Sequence, residues 1–459
     1  MLRRFTASVA IASLILGLAA NAYGQSESGG GAEIARIRDA EIESDLRSWG
    51  APVWQAAGLD PQQVQIVIVN DRQINAFVAG GLNIFLYAGL LIQSDSANQV
   101  VGVMAHETGH IAGGHLARMG DAIENAEIIQ ILGMLLGAAA IAASGGHAGE
   151  AGMAGMSAGT DLAVRNFLSF SRTQERSADQ AGVNFLEQSG QSARGLLEFM
   201  QKLQTQEFLS GAHQDPYLRT HPLTQDRIDF IANFLKASKY ANAPPRPGYV
   251  EEHARMRGKL IGFLWPVSRV FERYKEGDNS VESRYARAVA YHRESRDDQA
   301  LKLVDSLIAE HPDDAFYNEL KGQFLFEAGK VKEALGPYEK ANKELPHNAL
   351  LESELAQVMV ETGDSRYNDE ALANLNEAVT LETDDPLTWR MLAIVYGRQG
   401  KDGQTALALA EEFYAEGRYK DARGQAKRAQ QLLPYGSPGG IRAQDIEQAA
   451  DKAIKDAKG

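Results

Sequence analysis

Cysteine is absent from the 459 residues. That removes disulfides, thiolate metal ligands and any lipid-modified cysteine, so neither a disulfide scaffold nor a lipoprotein anchor is available and stability must come from packing. Long apolar runs are missing too. The two longest, residues 9–18 and 128–143, fall short of the roughly twenty residues a membrane span requires, and the second is interrupted by Gln130 and two glycines. Positive charge is in deficit, with 46 Lys and Arg against 60 Asp and Glu and a formal net charge of −14. Such a balance repels nucleic acid and anionic headgroups in bulk, and no nucleic-acid role is indicated.

What is present begins with an export signal. Arg3 and Arg4 precede the apolar stretch Val9 to Leu18, and small residues follow at Ala20, Ala22 and Gly24. This pattern reads as a signal peptide over residues 1–24, cleaved after Ala22 or Gly24. Its only charged residues are the two arginines, so the exported chain carries −16. The length and the 44% apolar content suit two or three domains, each with its own core.

Along the chain, Glu33 to Trp49 has helical periodicity, and V-Q-I-V-I-V at 64–69 reads as a strand closed by Asn70 and Asp71. A Gly80-Gly81 turn leads into a second strand that alternates Leu82, Ile84 and Leu86 against Asn83, Phe85 and Tyr87. Helices are expected from Ala97 to Met119, from Thr173 to Gln188 and from Arg194 to Gln206. Residues 128–159 read as a buried helix plus a mobile loop, with peripheral membrane contact as the alternative. The A-P-P-R-P-G run at 243–248 is a stiff linker. Beyond it Pro312 and Pro346 stand 34 residues apart, with Gly329 and Gly363 at turns and Ala334-Leu335 opening a second helix. That spacing is the tetratricopeptide period. The expected organisation is 1–24 signal peptide, 25–242 catalytic domain, 243–280 linker and connecting helix, and 281–459 repeats.

The chemistry lies in H-E-T-G-H at 106–110. Histidines four apart share a helical face, so His106 and His110 can hold one ion, and Glu107 beside them can take the proton of an attacking water. A third ligand is needed. A histidine three residues beyond Gly113 would supply it, but position 116 is leucine, and His115 falls one residue early and is given a supporting role. The better candidate is Glu175 in R-T-Q-E-R-S-A-D, where Asp179 shares its face and can hydrogen-bond a ligand histidine. Glu124, Glu127 and Glu150 compete, but none has an acid four residues on.

H-E-T-G-H, followed by H-L-A-R at 115–118, E-R-S-A-D at 175–179 and T-H-P-L-T-Q-D-R-I at 220–228, resembles the zinc peptidases related to the CAAX-prenyl protease and the membrane heat-shock protease HtpX. With an export signal and C-terminal tetratricopeptide repeats, the chain is similar to the periplasmic, β-barrel-assembly-enhancing branch of that family. The resemblance implies a mainly α protein: a zincin-type α+β metalloprotease domain with a small sheet, followed by an α-solenoid of tetratricopeptide repeats. It implies one Zn2+ per chain on His106, His110 and Glu175, with Glu107 as general base and Asp179 orienting a ligand or donating a proton. It also implies that the strand after the glycine turn (Gly80, Gly81, Asn83, Ile84) pairs with an extended substrate, a use that an exposed strand edge permits.

Two functions follow. One is a periplasmic endopeptidase that degrades misfolded or stalled outer-membrane proteins, its repeats docking the β-barrel assembly machinery. The other is a chaperone-like adaptor with a latent or structural zinc site. Glu107 argues against a purely structural ion, which needs no base. His221, in L-R-T-H-P-L, reads from the sequence alone as a surface histidine at a helix entrance, with Thr224 or Asp226 as cap. The resemblance implies instead a fourth, regulatory zinc ligand.

Overall fold

The structure is a computed structural model that describes residues 35–115, 158–210, 217 and 221–456. The expected signal peptide and nearly all of segment 128–159 lie outside these residues. The described chain divides into two compact units at Leu264/Trp265.

In the first unit, β1 (Arg36–Ile37) precedes α1 (Ala40–Ala56). The helix begins later than the periodicity at 33–49 suggests because Asp39 caps it, its carboxylate accepting from the Ile42 amide at 2.9 Å. A four-stranded sheet follows, built from β1, β2 (Gln65–Val69), β3 (Ala76–Ala79) and β4 (Asn83–Tyr87) in the order β1-β2-β4-β3. Ile84 and Leu86 point into the core while Asn83, Phe85 and Tyr87 are half-buried, as their alternation indicates.

The strand order corrects one expectation. β4 pairs with β2 in parallel and with β3 antiparallel, so Asn83 faces both Gln65 and Ala79, and Ile84 faces both Ile66 and Val78. Its backbone groups are consumed on both sides, and it cannot take up a substrate strand. Among the described residues the edge strands are β1 and β3, and the edge beside β4 belongs to β3, where Ala76 is itself fully buried. The Tyr87 amide donates to the Asn75 carbonyl, and the alternation of an antiparallel ladder therefore turns the backbone groups of Ala76 and Val78 away from β4.

After α2 (Ala88–Gln93), helix α3 (Ala97–Ala112) is buried along nearly its whole length. It packs on α4 (Ala158–Gln188) and α5 (Arg194–Ser210). Small residues allow the close approach: a Cβ on Gly109 would lie 2.5 Å from the Ala178 carbonyl oxygen, and one on Gly182 would meet the Ala105 carbonyl at 3.0 Å. Helix α6 (Gln225–Ala237) lies on α4 and α5. The stretch expected to connect the domains contains α7 (Tyr249–Leu264), which this unit holds by buried ion pairs from Arg255 to Glu41 (2.6 Å) and from Lys259 to Asp39 (2.8 Å).

The second unit is helical throughout. Short α8 (Val267–Arg273) leads into α9 (Val281–Arg293), α10 (Asp297–Glu310), α11 (Ala315–Glu327), α12 (Val331–Glu344), α13 (Ala349–Glu361), α14 (Asn368–Leu381), α15 (Pro386–Arg398), α16 (Asp402–Ala415), α17 (Tyr419–Leu432) and α18 (Pro438–Asp456). Consecutive helices pack as antiparallel pairs, each against its neighbours in sequence, which is the architecture of tetratricopeptide repeats. The first helices of successive repeats are capped by Asp314, Asn348 and Asp385, and Gly329 (φ 75°) ends α11 in the left-handed conformation that only glycine adopts cheaply. Among the described residues no helix is long and apolar enough to cross a membrane.

Candidate metal centre

Helix α3 presents His106 and His110 one turn apart, and the close α3–α4 crossing brings Glu175 against them. His221, preceding α6, completes the group. One ligand atom from each of these four buried residues lies within 4.8 Å of every other.

The spacing is informative. His106 Nε2 stands 3.2 Å from His110 Nε2 and 3.2 Å from His221 Nδ1. The Glu175 carboxylate approaches His106 at 3.3 Å, His110 at 3.2 Å and His221 at 3.2 Å. Four nitrogen and oxygen ligands at about 2.0–2.1 Å from a tetrahedral ion would be about 3.3–3.4 Å apart. With either single oxygen of Glu175 taken as the ligand atom, four of the six ligand–ligand edges fit that figure.

Each imidazole is held by its other nitrogen. His106 Nδ1 faces Asp179 Oδ1 at 2.9 Å, His110 Nδ1 lies 3.0 Å from His115 Nδ1, and His221 Nε2 lies 3.2 Å from the Ala76 carbonyl oxygen. His106 Nδ1 faces the Asp179 carboxylate as a close ion-pair contact and His221 Nε2 faces the Ala76 carbonyl, which leaves His106 Nε2 and His221 Nδ1 turned toward one another, as ligand atoms that converge on a cation are. The charges agree. Among the described residues Glu107, Glu175 and Asp179 are buried around a single buried guanidinium, Arg227, leaving a formal −2 for a divalent ion to balance. Neither oxygen of Glu107 has a hydrogen-bond partner among the described residues, as expected of a carboxylate whose partner is a solvent or substrate molecule. The residues present therefore fit a resident divalent cation.

Ionisation follows from the same contacts. Burial opposes the charge of Glu175, but His221 and Arg227 outweigh it and hold the carboxyl well below its ordinary value. Asp179 is likewise lowered against burial, by Arg227 and His106. Burial alone would depress His106, yet Asp179 and Glu175 raise it to about 10, whereas burial keeps His110 low. Without a competing cation His106 is the proton-holding member, so metal binding must displace a proton.

All six sequence-selected residues of the centre, His106, Glu107, His110, Glu175, Asp179 and His221, are brought together. His221 is buried rather than at the surface, its ring stacked on Tyr217 with centroids 4.6 Å apart. Thr224 supplies no side-chain cap to α6. Gly80 and Gly81 form the turn before β4, where the Asn83 side chain donates to the Gly80 carbonyl at 3.0 Å. Two contributors carry no role in the sequence reading. Tyr217 follows Pro216 in a run of sequence with no apolar periodicity to single it out. Arg227 did leave a signal, because it lies four residues before Ile231 on the buried stripe of α6, where a lone charge calls for a buried partner.

Residues 40–235 match Peptidase family M48. The β-barrel assembly-enhancing protease of Shigella flexneri is 26% identical over 404 residues, covering 87% of this chain and 81% of that one. That of Yersinia pestis is 26% identical over 375 residues, covering 81% of this chain and 75% of its own. The mitochondrial metalloendopeptidase OMA1 of Bos taurus is 27% identical over 191 residues, 40% of this chain and 35% of that one. The chain carries a peptidase family M48 domain across residues 40–235 and is a metallopeptidase.

Proposed function

We propose that this chain is a zinc endopeptidase of the periplasm that degrades misfolded or stalled outer-membrane proteins and assists their assembly, its repeats docking the β-barrel assembly machinery. The observation that carries the catalytic part is the set of 3.2–3.3 Å edges between His106, His110, Glu175 and His221, which suits one Zn2+ per chain. The client class rests on the names of the relatives that align over most of the chain, and the compartment on the signal-peptide pattern read in the sequence of residues 1–24.

Zinc bound there supplies Lewis acidity toward the scissile carbonyl and the attacking water. Glu107 takes the proton of that water and passes it to the leaving amine, a role suited to a buried carboxylate with no competing hydrogen bond. Asp179 holds the His106 ring and its tautomer. The extended substrate adds to the free edge of β3, at the outward backbone groups of Ala76 and Val78, rather than to β4. His221 would be a fourth protein ligand to that ion in the resting enzyme and would hold it inactive.

A fourth candidate ligand also favours a second reading, since four closed protein ligands are typical of structural zinc. In this reading the repeats do the biological work as an adaptor, and the site is latent. Incubating the exported chain with an unfolded outer-membrane β-barrel separates the two. The protease reading expects cleavage by the wild type, none by Glu107→Gln, and reduced assembly promotion when residues 281–459 are removed. Full biological activity in Glu107→Gln together with no detectable cleavage by the wild type would favour the adaptor.

A further inference from the structure

Arg227 is the third residue of α6 and is 3% exposed. Its guanidinium reaches in three directions. Nε and Nη2 donate to the two oxygens of Asp179 at 2.6 and 2.8 Å, Nη1 contacts Glu175 Oε2 at 2.9 Å, and Nη1 also donates to the Pro222 carbonyl at 3.0 Å. Asp179 in turn faces His106, Glu175 belongs to the ligand group, and Pro222 follows His221 directly in the chain. One side chain thus touches the supports of three of the four converging ligands.

We propose that Arg227 is the positioning residue of the metal centre: its planar fork fixes the separation of Glu175 and Asp179 on α4 and ties the His221 segment to them. This rests on the metal-centre reading above. Glu175 and Asp179 are buried anions on one helical face with Glu107 nearby, and their mutual repulsion would drive them apart in the absence of a cation. A guanidinium meets the geometry that repulsion demands, presenting parallel N–H groups to one carboxylate and a further edge to the other. A lysine ammonium carries the same charge but is a compact point on a flexible stem, so it can neutralise without setting the spacing.

The distinction yields the test. Zinc affinity of the full chain is measured by chelator competition, and the visible d–d spectrum is recorded on the cobalt(II)-substituted protein. Arg227→Lys is expected to fold, to lose about 10–100-fold in zinc affinity, as supports of metal ligands commonly do when altered, and to show a changed cobalt spectrum. Arg227→Gln is expected to lose more. Combined with Asp179→Asn, the affinity loss should be smaller than the product of the single losses, because both substitutions break the same bidentate pair. A purely structural role would lower the melting temperature and leave affinity and spectrum unchanged in the folded fraction. Should Arg227→Gln fail to fold, the lysine variant alone decides. Folded Arg227→Lys with wild-type zinc affinity and an unaltered cobalt spectrum overturns the proposal. These readouts do not depend on proteolysis, so a chain that binds zinc but cleaves nothing would sink the protease reading and leave this one standing. Wild-type protein that binds neither metal would sink both.

Discussion

The Nε2 of His221 lies 3.2 Å from the carbonyl oxygen of Ala76, while its Nδ1 lies 3.2 Å from His106 Nε2. A single imidazole therefore spans the free edge of the sheet and the ligand cluster. The carbonyl it engages is one of the outward groups that an added strand would use, so a peptide docking on β3 and His221 compete for the same acceptor.

Replacing His221 by alanine is expected to raise basal cleavage of an unfolded model substrate, or to cause self-cleavage, with metal retained by His106, His110 and Glu175. The opposite role, a group that stabilises the oxyanion of the transition state, predicts a loss of activity on the same substitution. Rates on a fluorogenic unfolded substrate distinguish the two. A folded, metal-loaded and slower His221→Ala protein would refute the switch.

Glu107→Gln should abolish cleavage by at least about 100-fold, since the amide cannot accept the proton. The same substitution is expected to stabilise the metal-free fold by about 1 kcal/mol or more, because a buried carboxylate with no hydrogen-bond partner among the described residues, and only a 3.5 Å contact from His221 Nε2, is itself costly. Urea midpoints of the chelated proteins check this. A less stable glutamine variant would mean that Glu107 has a partner the account does not include.

Gly109→Ala tests the helix crossing that builds the site. The added Cβ meets backbone of Ala178 at 2.5 Å, and backbone cannot rotate aside, so α4 must move. A loss of about 1–3 kcal/mol in stability is expected from the overpacking, along with weaker zinc binding, because Ala178 adjoins Asp179 and lies less than one turn from Glu175. Gly424→Ala on α17, exposed, not followed by proline and with nothing within 4 Å of an added Cβ, is the control and should stabilise by about 0.5–1 kcal/mol.

The H-E-x-x-H face, the Glu175/Asp179 pair and the 34-residue repeat were legible because each is a periodicity of one helix or one repeat. Strand order is not of that kind. The run at 83–87 alternates clearly and attracts attention, whereas Ala76–Ala79 is four residues long and leaves only a faint signal. Which of them forms the edge depends on long-range pairing with β2. His221 illustrates the same limit: Pro222 marks an extended segment, but burial against Tyr217 and reach to Ala76 come only from tertiary packing. Arg227 was readable in principle, as a charge on an apolar stripe, although its two acidic partners sit on another helix.

In the repeats, His292 bridges Asp297 on α10 (2.8 Å) and Glu327 on α11 (2.9 Å) and stacks on Phe324. Burial alone would lower its pKa, but the two carboxylates win and raise it above 6.5. A raised folded-state value means that the stabilisation is fully present below the unfolded pKa near 6.5 and is lost as pH rises through the folded value. Hydrogen exchange of the full chain, corrected for intrinsic rates, should show protection of α9–α11 declining from pH 6 to pH 9. His292→Gln should remove that slope, and an unchanged slope in the variant would assign it to another group.

Zinc K-edge X-ray absorption on the full-length wild type and His221→Ala reads out whether one zinc is held by two helical histidines, a glutamate from a second helix and a displaceable histidine. Both proteins should hold one zinc per chain, with three imidazoles in the coordination shell of the wild type falling to two in the variant. Three imidazoles in both proteins, or loss of the metal from His221→Ala, would contradict this assignment.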